Sequence, residues 1–140
     1  YSTQPRSAQM IEKRGFKFHP NVRSLRPFGF SDYNNLQINA FCVVSDSGTI
    51  PEEASYFRFP AVSIRTSTER PEAMDKGNFI IGGITSEDVL QAVDLAVSMY
   101  RNGDLGVATP DYVDENVSTK VVKIIQSYTG IVNKMVWRKK

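Results

Sequence analysis

The chain of 140 residues is predicted to be an α/β protein, a parallel β-sheet with helices on both faces. Three observations carry that expectation. Short apolar runs recur without polar alternation, the pattern of strands buried on both sides. Small or turn-forming residues follow the runs and open stretches with helix-start signals or helical periodicity. Strands that alternate with helices form βαβ units, and right-handed crossovers then leave the strands parallel.

Taken in order, Tyr1-Ser2-Thr3-Gln4-Pro5 reads as the end of a strand. Val22–Leu25 is the next expected strand, leading into the loop Arg26-Pro27-Phe28-Gly29-Phe30. Ser31 is placed to cap a helix running through Ala40. Phe41–Val44 is expected to be a strand covered on both faces, and Ile50–Phe57 the helix that follows. Ala61–Ile64 gives another strand, and Thr68–Lys76 a short helix ended by Gly77 as a left-handed cap. Phe79–Ile81 is a strand with Gly82-Gly83 beyond it. In Glu87–Tyr100, Val89, Val93, Ala96, Val97 and Tyr100 share one helical face, and Thr85 and Asp88 have the spacing of a capping box. Residues 101–116 are polar and turn-rich, hence a loop. From Val117 an apolar stripe runs through Val121, Ile124, Ile125, Tyr128, Ile131, Val132, Met135 and Val136. The abrupt start and this helix over residues 117–140 both read as parts shaped to lie against something larger.

The length suits one well-buried core and no second complete domain. Hydrophobic residues at 41% and charged residues at 23% are ordinary for a globular protein. The net charge of +2, with basic residues scattered apart from Arg138-Lys139-Lys140, argues against a nucleic-acid partner. Those last three residues read as a solvated helix end. There is no apolar run of about 18 residues, so neither a membrane-spanning helix nor a membrane partner is expected. The first ten residues have no signal-peptide core, and a cytoplasmic location is expected. The single cysteine, Cys42, cannot form an internal disulfide, and in its apolar run it reads as a buried structural residue. His19, the only histidine, has no partner pattern. No metal-ligand cluster and no Ser/His/Asp arrangement is visible.

Ligands of such sheets bind beyond the carboxyl ends of the strands. Ser45-Asp46-Ser47-Gly48-Thr49-Ile50-Pro51-Glu52-Glu53 stands at one such end and supports two readings. In the first, Thr49 and Glu52 form a capping box, Pro51 suits the first turn, and the motif only starts a helix. In the second, the free N–H groups of the helix start attract an anion, Ser47 adds a hydroxyl donor, and Gly48 admits close backbone approach. The next strand leads to Ile64-Arg65-Thr66-Ser67-Thr68-Glu69-Arg70-Pro71-Glu72-Ala73, which brings Arg65 and Arg70 to the same edge. A guanidinium there suits a phosphate or diphosphate. The other reading of Arg70 is a salt bridge to Glu69, Glu72 or Glu53. Tyr33 could offer a ring for a base to stack on, or belong to the core.

These two motifs, with Gly77 after them, resemble the non-hydrolysing UDP-N-acetylglucosamine 2-epimerase family over nearly the whole chain. The resemblance is to the carboxyl-terminal half of a two-domain, Rossmann-like, glycosyltransferase-B-like fold. The stretch from Pro27 to Ile50 and the terminal segment from Ser127 to Lys139 further resemble a capsule and O-antigen branch that makes UDP-N-acetyl-L-fucosamine. The resemblance implies a UDP-sugar ligand and a reaction that inverts C2 by eliminating UDP and adding it back, with no metal and no other cofactor. It implies that Ser47, Gly48, Thr49 and the helix start hold the diphosphate, that Glu53 meets the ribose hydroxyls, that Arg70 belongs to the UDP site, and that Tyr33 lies against uracil. Glu69 and Glu52 are further candidates, Glu52 with a structural role in the cap. Thr49 stands where many members have a second glycine, and Gln4 where relatives commonly have a histidine. The resemblance also implies that the catalytic carboxylates lie in an amino-terminal domain outside this chain, and that the whole protein is a homodimer. A glycosyltransferase of the same fold and a non-enzymatic α/β module are the alternative readings.

Overall fold

The computed structural model describes residues 1–139; Lys140, the last of the three terminal basic residues, lies outside the described residues. Three parallel strands, β1 (Val43–Ser45), β2 (Ala61–Ser63) and β3 (Ile80–Ile81), form a sheet in the order β1-β2-β3. Val44 pairs with Val62, and Val62 with Ile80. The helices are α1 (Pro5–Lys13), α2 (Phe30–Ile38), α3 (Ile50–Phe57), α4 (Pro71–Asp75), α5 (Ser86–Arg101) and α6 (Val117–Met135), with a 3₁₀ turn at Pro110–Tyr112.

The middle strand organises the core. All three residues of β2 are buried, and their side chains alternate between faces with the period of two that a strand imposes. Ala61 joins a cluster with Ile50 and Ala54 of α3, Ala73 of α4, Phe59 and Phe79. Val62 points the other way, into a cluster with Ala92 and Ala96 of α5. The two clusters are the two faces of the expected sandwich. Gly82 lets α5 come close: a Cβ there would stand 2.7 Å from Val62 Cγ1 and 3.2 Å from Ala92 Cβ.

Several elements follow the sequence closely. α3 has the expected bounds, and Gly77 takes a left-handed φ of +70°. Thr85 caps α5, its Oγ1 accepting from Asp88 N at 3.2 Å and donating to Asp88 Oδ2 at 2.6 Å. Other expectations need correction. Val22–Leu25 is no strand: it makes one parallel bridge, Ser2 to Leu25, with Thr3 N donating to Leu25 O at 2.8 Å and Leu25 N to Tyr1 O at 3.0 Å. Between the bridged segments lies α1, an amphipathic helix that the sequence reading did not assign and that has no buried residue. Ser31 does not cap α2. Gly29 takes the extended cap conformation, and Ser31 is already in the first turn. Phe41–Val44 is not covered on both faces, for Val44 remains 40% exposed; β1 also forms an edge of the sheet. α4 begins only at Pro71, because Thr68 Oγ1 accepts from Arg70 N at 3.0 Å and turns the preceding residues away from helix.

The loop 101–116 is pinned by buried polar groups. Asn78 Nδ2 donates to Thr109 Oγ1 at 2.9 Å and to Ala73 O at 3.3 Å, while Thr109 N donates to Ser55 Oγ at 2.8 Å. Buried polar groups are retained where they are paired in this way. α6 differs from the other long helix: it has no buried residue, and Ile125, Tyr128 and Ile131 of its stripe are all more than half exposed. Among the described residues, no helix is long and apolar enough to cross a membrane.

Gly82→Ala forces a methyl group into the contact between α5 and β2. It is expected to cost about 1–3 kcal/mol, the usual range for overpacking a core. Urea unfolding monitored by circular dichroism measures the cost, and an unchanged midpoint would show that α5 does not pack so tightly.

Candidate functional site

The carboxyl ends of β1 and β2 carry both motifs. Ser45 closes β1, and the turn after it folds onto its own side chains. Ser47 N donates to Ser45 Oγ at 3.0 Å, Thr49 N donates to Ser47 Oγ at 3.3 Å, and the hydroxyls of Ser47 and Thr49 lie 2.9 Å apart. No atom lies within 4 Å of the point where a Cβ on Gly48 would stand, so the backbone there is open to an approaching group.

The capping box proposed for Thr49 and Glu52 does not form. Thr49 has helical backbone angles and makes no side-chain cap bond; its Oγ1 donates instead to Glu53 Oε1, at 2.8 Å. The two glutamates then part company, because consecutive residues on a helix point about 100° apart. Glu53 faces α2, where Gln37 Nε2 donates to its Oε2. Glu52 faces the segment before α4, where its Oε1 accepts from Arg70 Nε at 2.6 Å. Arg70 therefore pairs with none of the three partners expected from sequence. Its Nη1 donates to the backbone carbonyl of Glu69 at 3.2 Å.

Arg65 joins the two motifs. Its Nε donates to Asp46 O at 2.8 Å, and its Nη1 reaches both carboxylate oxygens of Glu69, at 2.9 and 2.7 Å. The Glu69 carboxyl titrates below its ordinary range, chiefly through its own backbone hydrogen bond and then through the Arg65 charge. Arg65 thus holds Glu69, while Glu52 holds Arg70. Further along, the Tyr112 hydroxyl donates to Glu72. This bond is the main cause holding the Glu72 carboxyl low, and burial is the first cause raising the Tyr112 phenol.

Tyr33 is half-buried on α2. Burial first, and then the Glu53 charge, push that phenol above its ordinary value, so it stays neutral at physiological pH. Thr49 and Gln37 converge on the Glu53 carboxylate, with Ser47 and Gly48 in the adjoining turn. A cleft of about 300 Å³ opens against Glu52 and Glu53, lined also by Phe30, Asn34, Tyr56 and Tyr112. A second cavity lies among Arg58, Gly77, Asn78 and Asp104, and none of the motif residues lines it.

Sequence reasoning missed Gln37. The signal was present: Gln37 stands four residues after Tyr33, hence on the same face of the predicted helix. Cys42 is half-buried rather than fully buried, and burial raises its thiol to about 11. Among the described residues, no group of three or more His, Cys, Asp and Glu side chains is placed to hold a metal ion.

With its thiol at about 11 rather than 9.0, Cys42 should react with iodoacetamide at pH 8 about a hundredfold more slowly than an ordinary thiol, since only the thiolate attacks. Mass-spectrometric rates of alkylation measure this, and reaction at the rate of free cysteine would contradict it.

Comparison with known proteins meets this geometry. The family profile described as UDP-N-acetylglucosamine 2-epimerase matches residues 1–126. The UDP-N-acetylglucosamine 2-epimerase of Methanocaldococcus jannaschii is 28% identical over 106 residues, which cover 73% of this chain and 29% of that protein. That of Bacillus subtilis is 26% identical over 110 residues, covering 78% of this chain and 29% of the relative. The matched segment therefore spans less than a third of the length of these curated relatives. Among solved structures, UDP-N-acetylglucosamine 2-epimerase from Rickettsia bellii superposes with a TM-score of 0.84 at 42% identity, over 99% of this chain and 38% of that one. The M. jannaschii enzyme in complex with UDP-GlcNAc and UDP superposes with a TM-score of 0.77 at 25% identity, over 90% and 34% of the two chains. The fold is the Rossmann-like α/β unit of the glycosyltransferase-B-like architecture. From Tyr1 into α6, in profile, in sequence and in fold, the chain belongs to the UDP-N-acetylglucosamine 2-epimerase family.

Proposed function

We propose that this chain is the UDP-binding domain of a UDP-sugar 2-epimerase acting by elimination and re-addition of UDP. The observation that carries the reading is the placement of Glu53. Its carboxylate is held by Thr49 and Gln37, one helical turn into α3 from the open backbone at Gly48. A nucleotide needs these features in this order: a ring face for the base, a carboxylate for the ribose diol, and N–H groups for the diphosphate. Tyr33 supplies the ring. Glu53 accepts the ribose hydroxyls without needing a countercharge. Ser47, Gly48, Thr49 and the start of α3 take the diphosphate.

Arg70 enters in a changed role. With Nε fixed by Glu52, its guanidinium is oriented before any ligand arrives, so it can face charge that develops on the leaving diphosphate. A preorganised donor of this kind stabilises the transition state more than the ground state. Glu52 is then a positioning residue rather than a cap, and Glu69 contributes by fixing Arg65.

The remainder of the protein follows from the same reading. An amino-terminal lobe of the same chain supplies the carboxylates that exchange the C2 proton, and the stripe of α6 lies toward that lobe. The reaction uses neither metal nor other cofactor. The intact enzyme is a homodimer in the cytoplasm and serves bacterial surface polysaccharide synthesis, with UDP-N-acetylglucosamine or its fucosamine-series relatives as substrate.

Calorimetry with UDP tests the site. Glu53→Ala is expected to weaken binding by about 1.5–3 kcal/mol, the worth of hydrogen bonds to a charged group. Glu52→Ala should weaken it less, through loss of the Arg70 orientation. Equal losses would remove the distinction, and no heat with UDP for either this chain or the intact protein would favour a non-enzymatic module. The 140-residue chain alone is expected not to interconvert UDP-sugar epimers in an NMR assay that the intact protein passes. Sugar transfer to an acceptor in place of epimerisation would point to a glycosyltransferase.

A further inference from the structure

Gln37 is the one buried residue of α2, at 3% exposure. Its Nε2 donates to Glu53 Oε2, while its own Oε1, also buried, receives no hydrogen bond from the described residues. An amide with an unmet buried oxygen is worse for stability than an apolar side chain of the same shape. Stability alone therefore does not account for a glutamine here, and its N–H end is the part with a use. Its orientation is determined as well. Turning the amide over would set its oxygen against a carboxylate oxygen.

On the other side of the same carboxylate, Thr49 Oγ1 donates to Glu53 Oε1 at 2.8 Å. Each oxygen thus accepts one hydrogen bond, and the two donors come from different elements, α2 and the start of α3. Two anchors of that kind fix both the position and the plane of the carboxylate. An ionised carboxylate has about four lone-pair sites, so roughly two remain, one on each oxygen. Two acceptors at a fixed spacing match a vicinal diol, which presents two hydroxyl hydrogens side by side. They match a single hydroxyl, or none, much less well.

We propose that Gln37 is a positioning residue for ribose selectivity: by holding Glu53 Oε2 it makes the carboxylate a preorganised acceptor for the 2′,3′-diol of a nucleoside diphosphate. The proposal rests on the nucleotide-binding reading above and adds to it the residue that decides which sugar the nucleotide carries. Gln37 touches no ligand in this role and acts only through Glu53.

The test compares UDP with 2′,3′-dideoxy-UDP on the intact protein by calorimetry, for the wild type and for Gln37→Met. The wild type is expected to prefer UDP by about tenfold or more, as hydrogen bonds to a charged group imply. Gln37→Met should cut that preference at least threefold while changing dideoxy-UDP affinity less than twofold. With UDP-sugar as substrate it should raise KM and leave kcat nearly unchanged, since binding to the ribose is uniform through the reaction. Gln37→Leu serves as a second variant should the first not fold, and the same loss of preference is expected. A variant that keeps the full preference overturns the proposal, as does a parallel loss of affinity for both nucleotides, which is the mark of a merely structural role. A wild type without ribose preference overturns the assignment of Glu53 itself, and the proposal with it. Failure to bind either nucleotide overturns the nucleotide-binding reading.

Discussion

Burial of β2 from both sides is the constraint on which the rest depends. Its residues alternate between α3 and α4 on one face and α5 on the other, and the strand cannot slip by one position without exchanging those faces. That register sets where β1 and β2 end together, at Ser45 and Ser63. Both motifs begin just past those two residues. Their meeting follows from strand pairing, and neither motif has to find the other.

Given that edge, α3 distributes the chemistry. A helix entering at Ile50 carries Glu52 and Glu53 about 100° apart, so adjacent carboxylates of like charge serve different neighbours. One anchors a guanidinium from the following loop; the other is anchored by an amide from the preceding helix. Glu52 is thus neutralised by a guanidinium, while Glu53 is held by two neutral donors, Gln37 and Thr49. The turn itself is organised by hydroxyls, Ser45 Oγ accepting from Ser47 N and Ser47 Oγ from Thr49 N, while the backbone at Gly48 stays open.

Much of the fold was legible because its signals are local. α3, the strand at Ala61–Ser63, the left-handed Gly77 and the Thr85 cap all depend on residues within one turn of each other. Some errors concern what lies across from a segment; others are local, for Ser31 lies inside α2, Thr49 Oγ1 bonds Glu53 instead of capping α3, and Thr68 delays the start of α4. Val22–Leu25 has strand composition but only one bridging partner, and α1, although amphipathic, buries none of its residues. Val44 reads as doubly buried yet remains 40% exposed. Family resemblance named Glu53 and Arg70 but not the side chains that hold them, Gln37 and Thr49 for the one and Glu52 for the other.

By itself the sequence determined the α/β class, the place of the two motifs at the carboxyl ends of the strands and the residue types available there. Turn chemistry, apolar runs and helix-start spacing are encoded within a few positions of one another. Only the tertiary structure decided that Glu52 belongs to Arg70 and Glu53 to Gln37, over separations of 18 and 16 residues. A carboxylate interacts with whichever donor the packed elements bring within reach. That choice depends on helix rotation and strand register together, which no local pattern specifies.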